Sequence, residues 1–429
     1  MVESYKENEF KEETKIGRIP KDWKIVKLKD IILEAKPGFA CGKRDENGII
    51  QLRMDSIRTD GRIDPTAYVK VPPPKDVEEY LLRPGDILFN NTNSRDLVGK
   101  TAIFRGEHEK CVFSNHLTRI RVRRSIVIPE WILYNFIRMW RFGMFKVLCH
   151  PHVHQAGINK KDLLNLAIPL PPLEEQELIA GILYSIDEAI RAVDASIAEY
   201  EQLKKGLMQE LLTKGIGHKE FKETEIGRIP ASWKMVKLGE KGVATIRGGK
   251  ANKPHGYEKV AFIPMEKIPD NGLYAEFEMR PISDVKSFVY CEAGDVLLAK
   301  ITPCFENGKQ GIVPEDIPNG FALATTEVFP IICKGVNRFF LFYLLKMPKF
   351  RNLLKSAMRG TTGRLRVPRD AVTNLKIPLP PPDEQERIAK IILSADTILE
   401  EKRRKKAKLE RIKKATMDIL LTGKVRVRA

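Results

Sequence analysis

The chain has 429 residues, enough for two or three domains with cores of their own. Its 43% hydrophobic and 30% charged residues describe an ordinary soluble protein and not a disordered one. The 74 Lys and Arg against 56 Asp and Glu leave a net charge of +18, which points to a polyanionic partner, either nucleic acid or an anionic membrane surface. The polar, charged opening gives no signal peptide, and no apolar run approaches the ~20 residues of a membrane span. Six cysteines (Cys41, Cys111, Cys149, Cys291, Cys304, Cys333) form no CxxC pair, which suits free thiols in a reducing cytosol. A soluble cytoplasmic protein with no membrane contact is expected.

Along the chain the first informative segment is Phe10–Pro20, which returns as Phe221–Pro230. Each copy is followed by a tryptophan and a Val-Lys-Leu, at Trp23 and Val26–Leu28 and again at Trp233 and Val236–Leu238. Pro84-Gly85-Asp86-Ile87-Leu88 matches Ala293-Gly294-Asp295-Val296-Leu297, and Gly99-Lys100 matches Gly308-Lys309, both 209 residues on. The longest match sets Ile168–Glu177 against Ile377–Glu386, and Leu211–Thr213 against Leu420–Thr422 closes the series. Anchors in one order at one near-constant offset mean a duplicated unit. Segments 29–80 and 238–290 between them look unrelated, so a fixed frame carries two divergent inserts.

Each repeat opens with short β-branched runs broken by Gly, Pro and Asn, over about 20–165 and 230–374. Asp86–Asn90 and Leu117–Val122 are examples, the latter alternating as a half-buried strand would. Helical patterns follow at Trp131–Trp140 and Arg338–Lys346. These parts read as mixed α/β domains. Each repeat then ends in one long helix. The Pro clusters at 169–172 and 378–382 forbid helix upstream, and Glu174-Glu175 or Asp383-Glu384 favour the positive N-terminal dipole. A heptad grid places Ile179, Ile182, Ile186, Ala189, Val193, Ser196, Tyr200, Leu203 and Leu207 on one seam. It places Ile388, Ile391, Ala395, Ile398, Lys402, Lys405, Leu409, Ile412 and Thr416 on the other. About forty residues at 1.5 Å rise give each helix ~60 Å, too long for one small domain to bury. Antiparallel packing of the two helices on each other is the simplest closure, with two helices covering separate domains as the alternative. The cationic run Lys402–Lys408 reads as a solvated helix face, or as a strip along DNA or an acidic protein.

These residues resemble the specificity subunits of type I restriction–modification systems over nearly the whole length. Ile-Gly-x-Ile-Pro-x-x-Trp in duplicate (Ile16–Trp23, Ile226–Trp233) is one mark of that family. Pro-Leu-Pro-Pro-x-x-Glu-Gln-x-x-Ile-Ala in duplicate (Pro169–Ala180, Pro378–Ala389) is the other, and Leu211–Gly215 and Leu420–Lys424 close the repeats as in that family. The resemblance implies an α/β (α+β) chain with a pseudo-two-fold repeat: two target recognition domains separated by an antiparallel coiled coil. The expected boundaries are 1–165 and 216–374 for the domains, and 166–215 and 375–429 for the spacer helices. It further implies that double-stranded DNA is read as a split, asymmetric site, one half per domain. Two methyltransferase subunits would dock on the spacer, and restriction subunits for translocation and cleavage would join them. S-adenosylmethionine, ATP and magnesium would belong to those partners, so this subunit binds no cofactor and catalyses nothing. The Pro-Glu-Gln elements are expected to be alike in both repeats because they build the spacer and partner dock. Docking falls to Ile179, Ile182, Ile186, Val193, Leu203, Ile388, Ile391, Ile398, Leu409 and Ile412.

Motifs for a catalytic site of its own are weak. Val98-Gly99-Lys100-Thr101 imitates the end of a Walker A loop, but Ser94 stands where the first Gly belongs and Ala102–Phe104 continues as strand. A turn offering lysine to phosphate is the better reading. Cys149-His150-Pro151-His152-Val153-His154 resembles a metal cluster, yet its counterpart Met358–Gly363 has no ligands, so a loop facing DNA or solvent is expected and no metal. Candidate DNA contacts follow the Gly-Asp strands: Asn90, Asn91, Asn93, Ser94, Arg95 and Lys100 in the first repeat, and Lys300, Thr302, Asn307 and Lys309 in the second. A second set follows the helices: Gln155 with the histidines, and Arg359, Thr361, Thr362, Arg364 and Arg366. Asn suits adenine edges, Arg suits guanine, and Lys suits phosphate. Lys43, Arg44, Arg53, Arg247, Lys250 and Lys253 are weaker additions. A stand-alone nucleic-acid-binding regulator, and a nuclease or methyltransferase with an unrecognised site, are the rival readings.

Overall fold

The computed structural model describes residues 2–4, 10, 18–151, 155–248, 254–361 and 363–427. The chain divides into two compact units, one of residues 1–194 with 405–429, the other of residues 195–404. Four helices organise them: α1 (Pro129–Arg141), α2 (Leu173–Lys214), α3 (Arg338–Lys346) and α4 (Pro382–Leu420). The long helices α2 and α4 begin at the Pro clusters, with Glu174-Glu175 and Asp383-Glu384 in their first turns.

In the first unit a four-stranded antiparallel sheet runs in the order Ile32–Pro37, Leu117–Val122, Ile87–Asn90, Thr101–Ile103. Alternate side chains divide between two cores, as the two-residue period of a strand requires. Ile87, Phe89, Ile103 and Ile120 pack with α1 and the start of α2. Leu88, Ala102 and Leu117 face a second, three-stranded sheet of Tyr68–Val71, Ile49–Leu52 and Cys111–Phe113. Leu117–Val122 is therefore covered on both faces and not half-buried as its alternation suggests. Thr118 and Arg119 are buried too, and Arg119 is admitted because Glu34 accepts from its guanidinium at 2.9 and 3.1 Å.

The second unit repeats the frame with Ala244–Ile246, Val328–Cys333, Val296–Ala299 and Gln310–Ile312. Its second sheet has four strands, Glu278–Pro281, Lys259–Ile263, Phe321–Ala324 and Val289–Glu292. The extra strand falls in the stretch where the repeats diverge.

One joint recurs in both units and accounts for the longest sequence match. Trp23 and Trp233 are fully buried. The Trp23 indole donates to Glu175 Oε2 at 3.1 Å, and the Trp233 indole to Glu384 Oε2 at 3.0 Å. The next residue caps the short helix: Gln176 Oε1 accepts from Ile128 N at 3.1 Å, and Gln385 Oε1 from Asn337 N at 2.7 Å. Each glutamine also donates to a carbonyl of its own Pro cluster, at Pro171 or Pro380, 2.9 Å away in both cases. The Glu-Gln pairs are at most 5% exposed, so the likeness of the repeats here comes from an internal joint and not from a partner dock. The joint is sealed differently in each unit. Arg426 Nη2 reaches Glu175 at 2.8 Å and also Asp22 at 2.8 Å, whereas His218 Nε2 lies 2.7 Å from Glu384 Oε1. Gly423 and Gly215 turn the chain into these positions with φ of +67° and +68°, and a Cβ on either would meet the tryptophan ring. Backbone pairing of Val2–Ser4 with Val425–Val427 closes the first unit.

In both units α2 and α4 run antiparallel. Lys413 pairs with Asp187 at 2.5 Å and Lys406 with Asp194 at 2.6 Å in the first. Lys204 pairs with Asp396, and Arg403 with Glu201 at 2.7 Å, in the second. The heptad grid is out of phase with the buried stripe. Off the grid, Leu183 and Ile190 are buried beside Ile179 and Val193, and Ile392 and Leu399 beside Ile388 and Ala395. Ile182, Ile186, Ile398 and Leu409 are half-buried, while Leu203, Ile391 and Ile412 lie exposed. Both ends of each long helix pack on a domain core, Ile179 and Met417 in the first unit and Ile388 and Leu212 in the second, so the apolar face is wider than a heptad seam.

Candidate nucleic-acid interface

The structure brings the two candidate segments of each repeat together. In the first unit the strand Ala156–Gly157 pairs with Thr92–Asn93 on one side and with His150–Pro151 on the other. In the second unit Arg359–Thr361 and Arg364–Arg366 form a hairpin around Gly363, whose φ is +80°. That hairpin joins the other loop through Thr302 N to Leu365 O at 3.0 Å and Val367 N to Lys300 O at 2.8 Å. His150–Pro151 with Ala156–Gly157, and Arg359–Thr361 with Arg364–Arg366, thus occupy equivalent positions, each laid beside the loop that leaves the Gly-Asp strand.

The side chains fall into two groups. Asn90, Asn93 and Lys100 are buried. Asn90 Nδ2 donates to Thr92 O and His116 O at 3.1 and 3.0 Å and its Oδ1 accepts from Asn93 Nδ2 at 2.7 Å, so this pair shapes the loop from inside. Lys100 Nζ donates to Met54 O at 3.0 Å and Ile57 O at 2.6 Å, and burial holds its ammonium below the usual lysine range. In the second unit Lys309, half-buried, donates to Ile268 O at 2.7 Å. These two lysines pin the divergent inserts to the frame and are not presented to phosphate, which corrects the expectation for Asn90, Asn93, Lys100 and Lys309. Asn91 is half-buried and donates to Thr118 Oγ1 at 2.9 Å.

Ser94, Arg95, Gln155, Asn307, Arg359, Thr361 and Arg364 are exposed, whereas Lys300 and Thr302 are half-buried. Lys300 lies over the Phe329 ring at 5.2 Å, and its burial holds the ammonium below the usual range. Arg366 is exposed but engaged: Nε and Nη2 each meet the Glu327 carboxylate at 2.9 Å and hold it below the usual carboxylate range. Thr362, Lys250, Lys253, His152 and His154 lie outside the described residues. His150 Nε2 sits 2.8 Å from Asp162 Oδ2, which Asn159 also donates to at 2.7 Å. Among the described residues no group of three His, Cys, Asp or Glu is placed to hold a metal. Of the weaker additions, Lys43 and Arg44 are exposed, Arg53 donates to Cys41 O at 2.8 Å, and Arg247 is bound by Asp295 and Glu292. No helix among the described residues is long and apolar enough to cross a membrane.

A residue that the sequence did not flag also holds the loop that ends at Gly308 in the second unit. Lys346, at the end of α3, donates to Asp270 O at 2.6 Å and Gly308 O at 2.8 Å, and burial pushes its ammonium down to about 7. The unfolded chain keeps the ordinary value near 10.5. Between those two values the unfolded state binds the proton and the folded state does not, so this contribution makes stability rise as pH increases from 7 towards 10.5. Urea midpoints measured over that range should climb more steeply for the wild type than for Lys346→Met. Equal slopes would refute the assignment.

Both parts of the chain, residues 20–202 and 230–411, match the family model described as the type I restriction modification DNA specificity domain. The chain belongs to that family. It is 34% identical to the type I restriction enzyme MjaX specificity subunit of Methanocaldococcus jannaschii, over 100% of this chain and 99% of that protein. The MjaVIII specificity subunit of the same organism is 30% identical over 100% and 98%. Two solved structures share the fold. The S subunit of a type I system from M. genitalium has a TM-score of 0.57 at 13% identity, covering 95% of this chain and 97% of that one. A chain from a study of type I R-M complex assembly and conformational transition has a TM-score of 0.53 at 20% identity, covering 95% and 99%. The chain is a specificity subunit of a type I restriction–modification system, with two specificity domains and two long helices.

Proposed function

We propose that each unit reads one half of a bipartite, asymmetric DNA site through the paired loops just described, and that the subunit supplies an address while its partners supply the chemistry. The observation that carries this reading is the convergence, in both units, of two divergent polar loops on one frame. Thr92–Asn93 meets Ala156–Gly157, and Lys300 and Thr302 meet Leu365 and Val367. A repeated frame with non-repeated loops is what two different half-sites require. The exposed Arg359 and Arg364 suit base edges or phosphates, and the net charge of +18 suits a polyanion.

Partner docking belongs to the same proposal. Leu203, Ile391 and Ile412, left exposed on the long helices, are the apolar positions offered to methyltransferase subunits, one per repeat. Restriction subunits would join that core. S-adenosylmethionine, ATP and magnesium act on those partners, and this chain is not itself an enzyme. The specificity domains are assigned to 1–165 and 216–374, and the spacer helices to 166–215 and 375–429.

Methylome sequencing of cells with and without this gene tests the reading. Deletion should erase methyladenine at one two-part motif. An unchanged methylome, or methyl transfer by the purified chain alone, would overturn it.

A further inference from the structure

The first unit holds a cavity of about 550 Å³, inside the ~300–1,000 Å³ range of small-molecule sites. Trp140 and Arg141 at the end of α1 line it, with Phe142 just beyond them and Lys414 and Met417 of α4. Leu97 adds the loop that leaves the Gly-Asp strand. Arg95 ties that loop to the short helix Met144–Leu148 by donating to Lys146 O at 3.4 Å. The cavity thus adjoins the candidate DNA contacts without being built from them.

Its chemistry is cationic, donor-rich and aromatic. Both carboxylates on its wall are matched, Asp418 by Arg138 at 3.5 Å and Asp96 by Lys146 at 2.6 Å. Arg141 and Lys414 are exposed and make no ion pair among the described residues; Arg141 Nη1 has only the Met417 sulfur at 4.0 Å. Two buried donors of the wall, Trp140 Nε1 and Arg138 Nε, have no hydrogen-bond partner among the described residues. Such donors beside a cavity mark a place for acceptor atoms, because leaving them unpaired is costly. The Phe142 ring carries the Arg138 guanidinium at 4.9 Å, yet the residue stays 59% exposed. The second repeat keeps Lys205 and Met208 where Lys414 and Met417 stand, but has Lys349, Phe350 and Arg351 for Trp140, Arg141 and Phe142. The common frame does not need these three residues.

We propose that this cavity binds a single nucleotide. Arg141 and Lys414 hold its phosphate, and Phe142 takes the face of its base. Trp140 Nε1 and Arg138 Nε donate to acceptor atoms of the base or sugar. An anion alone leaves the ring unused, and an uncharged aromatic leaves the two cations unmatched; a nucleotide satisfies both. Its source is either a free mononucleotide or an unstacked nucleotide of a bound strand, which present the same chemistry. The inference stands apart from the bipartite-site reading, since none of these residues belongs to the loops assigned to the half-site.

Tryptophan fluorescence of the full-length chain is the test, because Trp23, Trp131 and Trp233 are fully buried and Trp140 is only partly so. Each of the four nucleoside 5′-monophosphates is titrated in turn. At least one should quench the emission saturably, while its nucleoside and inorganic phosphate each bind at least tenfold more weakly. Arg141→Gln, Lys414→Gln and Phe142→Ala, all at exposed positions, should each raise the Kd by about tenfold, the worth of one good contact. If no mononucleotide quenches, a mixed-sequence single strand of DNA should do so with the same dependence on the three residues, which makes the strand the source. Phosphate binding as tightly as the nucleotide would reduce the site to an anion site and overturn the proposal. Quenching that none of the three substitutions alters, or none by either probe, would overturn it as well.

Discussion

Glu175→Ala is expected to destabilise the first unit by about 3–5 kcal/mol, because a buried charge pair is broken from one side. The carboxylate it removes accepts from the Trp23 indole and from Arg426, whose guanidinium is 6% exposed. Arg426 keeps Asp22, but a guanidinium cannot shed its proton to escape burial. The equivalent Glu384→Ala strips the partner from Trp233 and from His218, and an imidazole can become neutral. The loss in the second unit should therefore be smaller. Hydrogen exchange followed by mass spectrometry resolves the two units in one sample. Equal losses in both, or a loss below 1 kcal/mol in the first, would show that the joint is not held as described.

The second large effect is on recognition. Arg364 stands at the turn of the Arg359–Arg366 hairpin, exposed beside Gly363. Arg364→Ala should cost about 1–3 kcal/mol of discrimination at one position of the half-site read by the second domain, and nothing at the other half-site. Methylome sequencing would show this as one relaxed base pair. Were Arg364 a phosphate contact, binding would weaken evenly over all sequences and the salt slope would fall by about one. Arg366→Ala provides the contrast. That residue is spent on Glu327, so its loss should loosen the hairpin and weaken the whole half-site without relaxing any one position.

Much of this molecule was legible in the sequence. The two Trp-containing openings, the Pro clusters and the Gly-Asp strands marked a repeated frame, because a frame must bury the same residues twice. Both pairs of candidate loops stood out, since polar loops after apolar strands are conspicuous. Their meeting was not, because pairing 92–93 with 156–157 depends on chain reversal through α1. Lys100 and Lys309 looked like phosphate ligands, and only the carbonyls of Met54, Ile57 and Ile268 reveal them as internal struts. The phase of the long helices was misplaced for a related reason. A heptad grid assumes one partner, whereas Leu183 and Ile392 serve a domain core as well as a helix pair.

The first unit is completed by the far end of the chain. Met417, Leu420, Leu421 and Val427 belong to its core, and Arg426 seals its joint. During synthesis that unit cannot close until residues 405–427 have left the ribosome, after every residue of the second unit. The domain begun first is thus finished last, and its core waits without Met417, Leu420, Leu421 and Val427 while the second unit folds. A nonsense codon between positions 405 and 417 would spare the unit nearest to it in sequence and disable the one nearest the start.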